Sequence, residues 1–249
     1  MTPEHNQTMK LTVAYHQNGF SLVEMMIAML IGLFLMGGVI SVYMSSAQSS
    51  RINEELRNLQ ENGRFALNSI KNSIQMAGYI DSYDPSALVN PFPAASNSSL
   101  TARFEAPADC TGTTTAGLAP PDTGVAENTL SVNAAGELIC TGNAGGAGAP
   151  ITIIEGVEQM RILYGLDDDG DGDTDRYLTA AAVNATGLPN VWRDNINSIR
   201  IGLLLRSDRD LKPANENKNY QLLDIQVAKN DRKLYKTFST TILIRNRMS

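Results

Sequence analysis

Residues 20–43 read FSLVEMMIAMLIGLFLMGGVISVY, a run of 24 residues in which Glu24 is the only charge. At about 1.5 Å per residue such a run makes a helix of roughly 36 Å, enough to cross the roughly 30 Å hydrocarbon layer of a bilayer. A cleaved secretory signal has an apolar core of only about 7 to 15 residues behind a basic start. Here the preceding stretch offers one base, Lys10, against Glu4. The run therefore reads as an anchor that stays on the chain. Glu24 is the odd residue, because a carboxylate within an apolar helix costs on the order of 2.5 to 3.5 kcal/mol on insertion scales unless it finds a partner. Either it sits at headgroup depth or a cation meets it. A cut between Gly19 and Phe20 would place a new amine near it, on this chain or a neighbour.

The helical pattern does not end with the apolar run. After the polar patch 45–50, apolar or small residues recur at Ile52, Leu56, Leu59, Gly63, Ala66, Ile70, Ile74 and Ala77, in steps of three and four that define one helix face. Arg51, Glu54, Arg57, Glu61, Arg64 and Lys71 fall on the opposite face. No proline interrupts residues 20–77, and Gly78 with Tyr79 makes a stop signal. The spacing predicts one long helix whose second half, 45–78, lies against a globular head. Gly32, Gly37 and Gly38 are its weak points, read either as sites of close helix contact or as glycines merely tolerated in lipid.

Composition narrows the function. The 249 residues are 43% apolar and 18% charged, a globular composition with room for a sizeable core. Twenty bases against 26 acids give a net charge of -6, so nothing favours general affinity for nucleic acid. The charge is uneven: residues 81–190 carry 15 acids and 3 bases, and residues 191–249 carry 6 acids and 12 bases. Only His5 and His16 are present, both ahead of the apolar run. Serine and cysteine nucleophiles paired with histidine, and histidine-ligated zinc, are thereby excluded from the head. Carboxylate pairs could still do acid–base chemistry, but no spacing marks one. The sequence reads as a non-enzyme with no organic cofactor.

Beyond residue 79 the chain reads as a β-rich head, 79–249. Residues 81–150 are rich in Gly, Ala, Ser, Thr and Pro, which predicts a loop-rich insertion with short strand-like pieces at 100–104, 129–132 and 137–140. Stronger strands are expected at 151–154, 159–166, 196–205, 220–227 and 234–244. Strands following one helix predict an α+β fold with a mainly antiparallel sheet.

Three features of the head carry chemistry. Cys110 and Cys140 are the only cysteines, and they form one disulfide if the head lies in an oxidising compartment, or two buried thiols if it does not. Residues 167–175 place six aspartates in nine positions, a repulsion that Ca2+ would relieve. Matched to a calcium loop, Asp167, Asp169 and Asp171 take the first three ligand positions, Gly172 the sharp turn, Asp173 offers its carbonyl and Asp175 the later contact. The twelfth position is Leu178, so another acid, with Glu155 and Glu158 as candidates, would have to complete the shell. The alternative is a solvated charged hairpin between strands ending near Leu166 and starting near Arg176. Trp192 reads as a core anchor, or as a sugar-stacking ring beside the aspartates.

Gly19-Phe20-Ser21-Leu22-Val23-Glu24 followed by an apolar helix resembles the class III signal of type IV pilins and type II secretion pseudopilins. The resemblance implies removal of a leader, 1–19, by a prepilin peptidase, methylation of the new terminus at Phe20, and retention of 20–44 as a transmembrane helix. It assigns Glu24 to docking against the amine of an adjacent subunit. It implies a pilin-like fold, a single pass through the bacterial inner membrane and a periplasmic head. The single leader base, Lys10, is fewer than the family usually carries. Met76-Ala77-Gly78-Tyr79, Leu163-Tyr164-Gly165 ahead of the aspartates, and Trp192 before the run 199–206 are similar to the PilW type of minor pilin. That type implies other minor pilins, the major pilin and a tip adhesin as partners, priming of pilus assembly, a place at the pilus tip, and support of adhesion and twitching motility. The alternatives are a J-type pseudopilin of type II secretion and a membrane-tethered, calcium-dependent binding module.

Overall fold

The computed structural model describes residues 19–80, 90–115, 124–143 and 149–246. The leader lies outside the described residues except for Gly19. The chain divides into an N-terminal unit, Met1–Ser50, and a globular unit, Arg51–Ser249. In the first, helix α1 (Leu22–Met76) begins behind Ser21, whose hydroxyl and carbonyl accept from the amides of Val23 and Met25 at 3.3 and 3.2 Å. Its apolar side chains are exposed throughout this unit, and the helix is long and apolar enough to cross a membrane.

In the globular unit the same helix is amphipathic as the spacing predicts. Leu59, Gly63, Ala66, Ile70, Ile74 and Ala77 are buried, Ile52 and Leu56 are half-buried, and the six charged residues of the opposite face are exposed. Gly63 is there for room, since a β-carbon at that position would stand 2.6 Å from the Phe238 ring. The helix stops at Gly78, which adopts the left-handed φ of 79°. Its amide donates to the Arg103 carbonyl at 2.9 Å, and the Asn246 side chain donates to the Gln75 carbonyl at 2.9 Å. The last turn is thus tied to both halves of the head.

Two four-stranded sheets, wholly antiparallel, make the head. The first runs β1 (Ser99–Glu105), β2 (Val125–Val132), β3 (Leu138–Thr141), β4 (Ile151–Ile154) in that spatial order. The second contains β5 (Val157–Leu166), β6 (Arg176–Leu178) and β7 (Ile196–Arg206), with the short helices α2 (Ala180–Asn184) and α3 (Val191–Asp194) between β6 and β7. After the hairpin β8 (Glu216–Leu222) and β9 (Ile225–Asp231), strand β10 (Tyr235–Leu243) completes the order β10-β7-β5-β6. Leu100, Phe104, Leu130, Leu138, Ile162, Tyr164, Ile199 and Leu203 join α1 in one core cluster. Burial pushes the Tyr164 phenol above its ordinary pKa, and its hydroxyl donates to the Ser96 carbonyl at 2.7 Å.

The short strand pieces expected within 81–150 form β1, β2 and β3, which pair in one sheet and send Leu100, Leu130 and Leu138 into the core. One expectation needs correction: the strand expected at 220–227 is not continuous but spans the end of β8, the turn 223–224 and the start of β9. Leu223 there takes a left-handed φ of 53°, and Asp224 forms an ion pair at 2.5 Å with Arg161 of β5. That guanidinium holds the Asp224 carboxyl below its ordinary range. The hairpin turn seats on Gly202, where a β-carbon would come within 2.9 Å of Leu222 and 3.0 Å of Leu223. Between β6 and β7 the chain also forms the short helices α2 and α3.

The Gly63 contact yields a test. Gly63→Ala should lower the stability of the full chain by about 1 to 3 kcal/mol, because the ring of Phe238 has to shift into an already packed interface. A denaturation midpoint equal to that of the unaltered chain would contradict the packing.

Candidate functional site

Two regions hold the chemistry singled out by sequence. The first is the start of α1. Gly19 and Phe20 lie ahead of the helix, both exposed, and Glu24 sits in its first turn. A carboxylate there is favoured by the unpaired amides and positive dipole end of the helix. Its neighbours are aliphatic or thioether side chains, Leu22, Val23, Met25, Met26 and Ile27, all exposed. An acid among apolar side chains can also attract a cation presented by another molecule.

The second region is the loop 167–175 between β5 and β6, which pair up to Leu166 and Arg176. The loop folds around its own carboxylates. Asp167, fully buried, accepts from the amides of Gly170 at 2.6 Å and Gly172 at 3.0 Å. Asp169 accepts from the Asp171 amide at 3.2 Å, Asp171 from Asp173 at 2.8 Å, and Asp175 from Asp168 at 2.7 Å. Gly170 and Gly172 take φ values of 82° and 94°, which the tight winding requires. Arg176 neutralises part of the charge through an ion pair with Asp168 at 2.8 Å.

Of the five predicted loop ligands, Asp167, Asp169 and Asp175 each offer an oxygen within 4.8 Å of the others. The side chains of Asp171 and Asp173 lie outside that cluster, and Asp171 is instead turned onto the backbone of Asp173. The donors are all oxygens, which suits a hard cation such as Ca2+. Neither candidate for the missing acid completes the shell. Glu155 precedes β5 and Glu158 lies near its start, the end opposite the loop, and Glu158 is engaged by Lys229 and lies 3.7 Å from Arg206.

What sequence reasoning missed is the strap that holds the loop. The Asp167 amide donates to the Asn195 carbonyl at 2.9 Å, and the Asn195 side chain returns a bond to the Asp167 carbonyl at 3.0 Å. Asn197 donates to the Gly172 carbonyl at 3.0 Å and accepts from the Thr174 hydroxyl at 2.5 Å. These asparagines lie more than 20 residues downstream, and no local motif announces them. Trp192 behaves as an anchor: its indole donates to Asn184 at 2.8 Å, and its ring meets Tyr164 edge-on with centroids 4.8 Å apart. Cys110 and Cys140 are joined, linking the turn after β1 to β3 in the first sheet.

Comparison with known proteins fits this geometry. A prokaryotic N-terminal methylation motif matches residues 15–40, and a family model described as type IV pilus-assembly protein W matches residues 125–246. No curated protein matches the chain. A solved structure of a type IV-like pilin from Thermus thermophilus is similar, at 15% identity and a TM-score of 0.46, over 76% of this chain and 96% of that one. With a methylation motif at the head of an apolar helix, the protein is a membrane-anchored pilin, a class of structural subunits. The region from β2 to the end of the last sheet points to the particular kind: over residues 125–246 the chain is similar to the PilW family, which supports a type IV pilus minor pilin of that type.

The disulfide offers a test of how the first sheet is held. Cys110→Ser with Cys140→Ser opens a link spanning 30 positions, which chain-entropy reasoning values at roughly 3 to 4 kcal/mol. The doubly substituted chain should unfold at correspondingly lower denaturant than the oxidised chain, and equal midpoints would show that the link contributes nothing.

Proposed function

We propose that this minor pilin is cut after Gly19, methylated at Phe20, and inserted through 20–44 in the inner membrane with its head in the periplasm. There it joins other minor pilins in a complex that primes pilus assembly, contacts the major pilin and a tip adhesin, and rides at the pilus tip. Twitching motility and adhesion follow from that role. The observation that carries the reading is Glu24, a single carboxylate in the first turn of an apolar helix and five positions after Gly19. Its charge is costly in lipid, and the amine created at a neighbour's Phe20 is the cation that would offset it. The PilW region favours a pilus over the secretion pseudopilins, which share the same helix chemistry.

Glu24→Val should insert in the membrane as well as or better than the unaltered chain, yet fail to co-purify with the other minor pilins and leave the cell poorly piliated. Terminal sequencing of the mature protein should begin at Phe20. Full piliation by the Glu24→Val strain, or a mature chain that starts elsewhere, would sink the docking role.

The aspartate loop is proposed as a Ca2+ site held by Asp167, Asp169 and Asp175. Bound there, the ion would supply positive charge among crowded carboxylates and raise stability by mass action. Millimolar calcium should raise the melting temperature of the unaltered chain by a few degrees and leave Asp167→Ala with Asp169→Ala unmoved. An equal response in both proteins argues against the site.

A further inference from the structure

We propose that a polar cleft in the head, between α1 and the turns at one end of the two sheets, binds a short peptide that carries a free ammonium and a free carboxylate. The site does not depend on the assembly role above. The cleft measures about 460 Å³. On one side is α1, which contributes Glu55, Asn58 and Asn62. Their spacing of three and four residues puts them on one side of the helix, beside the buried Leu59. The chain leaving β7 contributes Arg206 and Arg209, and the segment before β10 contributes Lys233. Glu137 and Glu155 come from the β2–β3 and β4–β5 turns. Backbone bonds tie these pieces together: the Gly136 carbonyl accepts from the Val157 amide, and the Gly156 carbonyl from the Arg206 amide, both at 2.8 Å. Ser207 fixes the β7 exit, since its hydroxyl donates to the Arg209 carbonyl at 2.8 Å and accepts from the Leu234 amide at 2.9 Å. Walls already tied in this way lose little freedom when a ligand enters.

The charges choose the ligand. Glu55 and Glu155 on one part of the lining, and Arg209 on another, enter none of the ion pairs among the described residues. Arg206 and Lys233 add positive charge beside Arg209, although Arg206 has Glu158 at 3.7 Å and Lys233 donates to the Asp208 carbonyl at 2.6 Å. A simple anion entering the cleft would meet the carboxylates, and a simple cation would meet the three bases. A ligand with one charge of each sign satisfies both sets: its ammonium goes to Glu55 and Glu155, its anionic end to Arg209. Asn58 and Asn62 then choose what joins the two charges. Each carboxamide both donates and accepts, the same pair of functions that a peptide bond offers in return. The chemistry that matches all three requirements is a short peptide with both termini free.

The test titrates triglycine into the full chain in detergent micelles by isothermal calorimetry. Three further ligands run beside it: N-acetyltriglycine, which lacks the ammonium; triglycine amide, which lacks the carboxylate; and glycerophosphoethanolamine, which carries both charges without a peptide bond. Triglycine should bind with saturable heat, and each of the other three should bind several-fold more weakly. Glu55→Gln and Arg209→Gln should each lower the triglycine affinity by roughly fivefold, the upper range for a charge pair at a partly open site. The two losses separate by ligand, because Glu55→Gln should leave the affinity for N-acetyltriglycine unmoved and Arg209→Gln that for triglycine amide. Should Glu55→Gln fail to fold, Glu155→Gln on the exposed turn carries the same expectation. The absence of saturable heat with triglycine overturns the proposal. So does equal binding of the blocked peptides, or a triglycine affinity indifferent to both substitutions. Tighter binding of glycerophosphoethanolamine than of triglycine also overturns it, and makes the cleft a site for a lipid headgroup.

Discussion

The globular unit depends on burying one stripe of α1. Leu59, Gly63, Ala66, Ile70, Ile74 and Ala77 mix small with large, and the small members let a sheet approach the helix closely. At Gly63 the clearance is so small that Phe238 of β10 occupies the space a β-carbon would need. The core residues of both four-stranded sheets join this stripe in one cluster. The end of the helix is held by β1 through Gly78 and by the chain beyond β10 through Asn246. A helix with this face has little reason to be stable in water alone, since amphipathic helices draw most of their stability from packing.

The elements that were legible in sequence are those whose period is set by burial on one face. The α1 stripe, β4, β5, β7 and β10 all announce themselves because the same core imposes steps of three and four on the helix and packs the strands with aliphatic residues. The first sheet was underestimated for a physical reason. β1 and β2 mix Ser, Thr, Ala and Asn among their inward residues, and Thr101 bonds Thr129 across the sheet at 2.7 Å, so their composition resembles that of loops. The β8–β9 hairpin escaped because its turn has no glycine. Leu223 accepts a left-handed backbone there because Leu222 and Leu223 pack on Gly202 and Asp224 is gripped by Arg161, contacts made by tertiary structure that no local pattern encodes.

The same division runs through the candidate sites. Gly19, Phe20 and Glu24 are contiguous and need no fold to be recognised, because their meaning depends on the apolar run that follows. The aspartate loop was also visible, yet its internal order was not. Carboxylates that a calcium-loop template would aim at an ion are here partly spent on backbone amides, and Asp171 is turned away from the cluster formed by Asp167, Asp169 and Asp175. Asn195 and Asn197, which fix the loop to the start of β7, become functional candidates only once the chain brings them beside it.

The division of labour between the two units follows from what each leaves unsatisfied. Among the described residues the N-terminal unit exposes apolar side chains and one acid, a combination stable only with lipid or other helices around it. The globular unit satisfies its buried polar side chains internally, with none found unpaired among the described residues. Among the described residues, what it leaves for a partner sits on the surface: a half-bare phenylalanine and three cations, Arg57, Arg64 and Lys71, that no ion pair includes. Groups of this kind select partners and ions. The physical work such groups favour is assembly, in which affinity and register are the product.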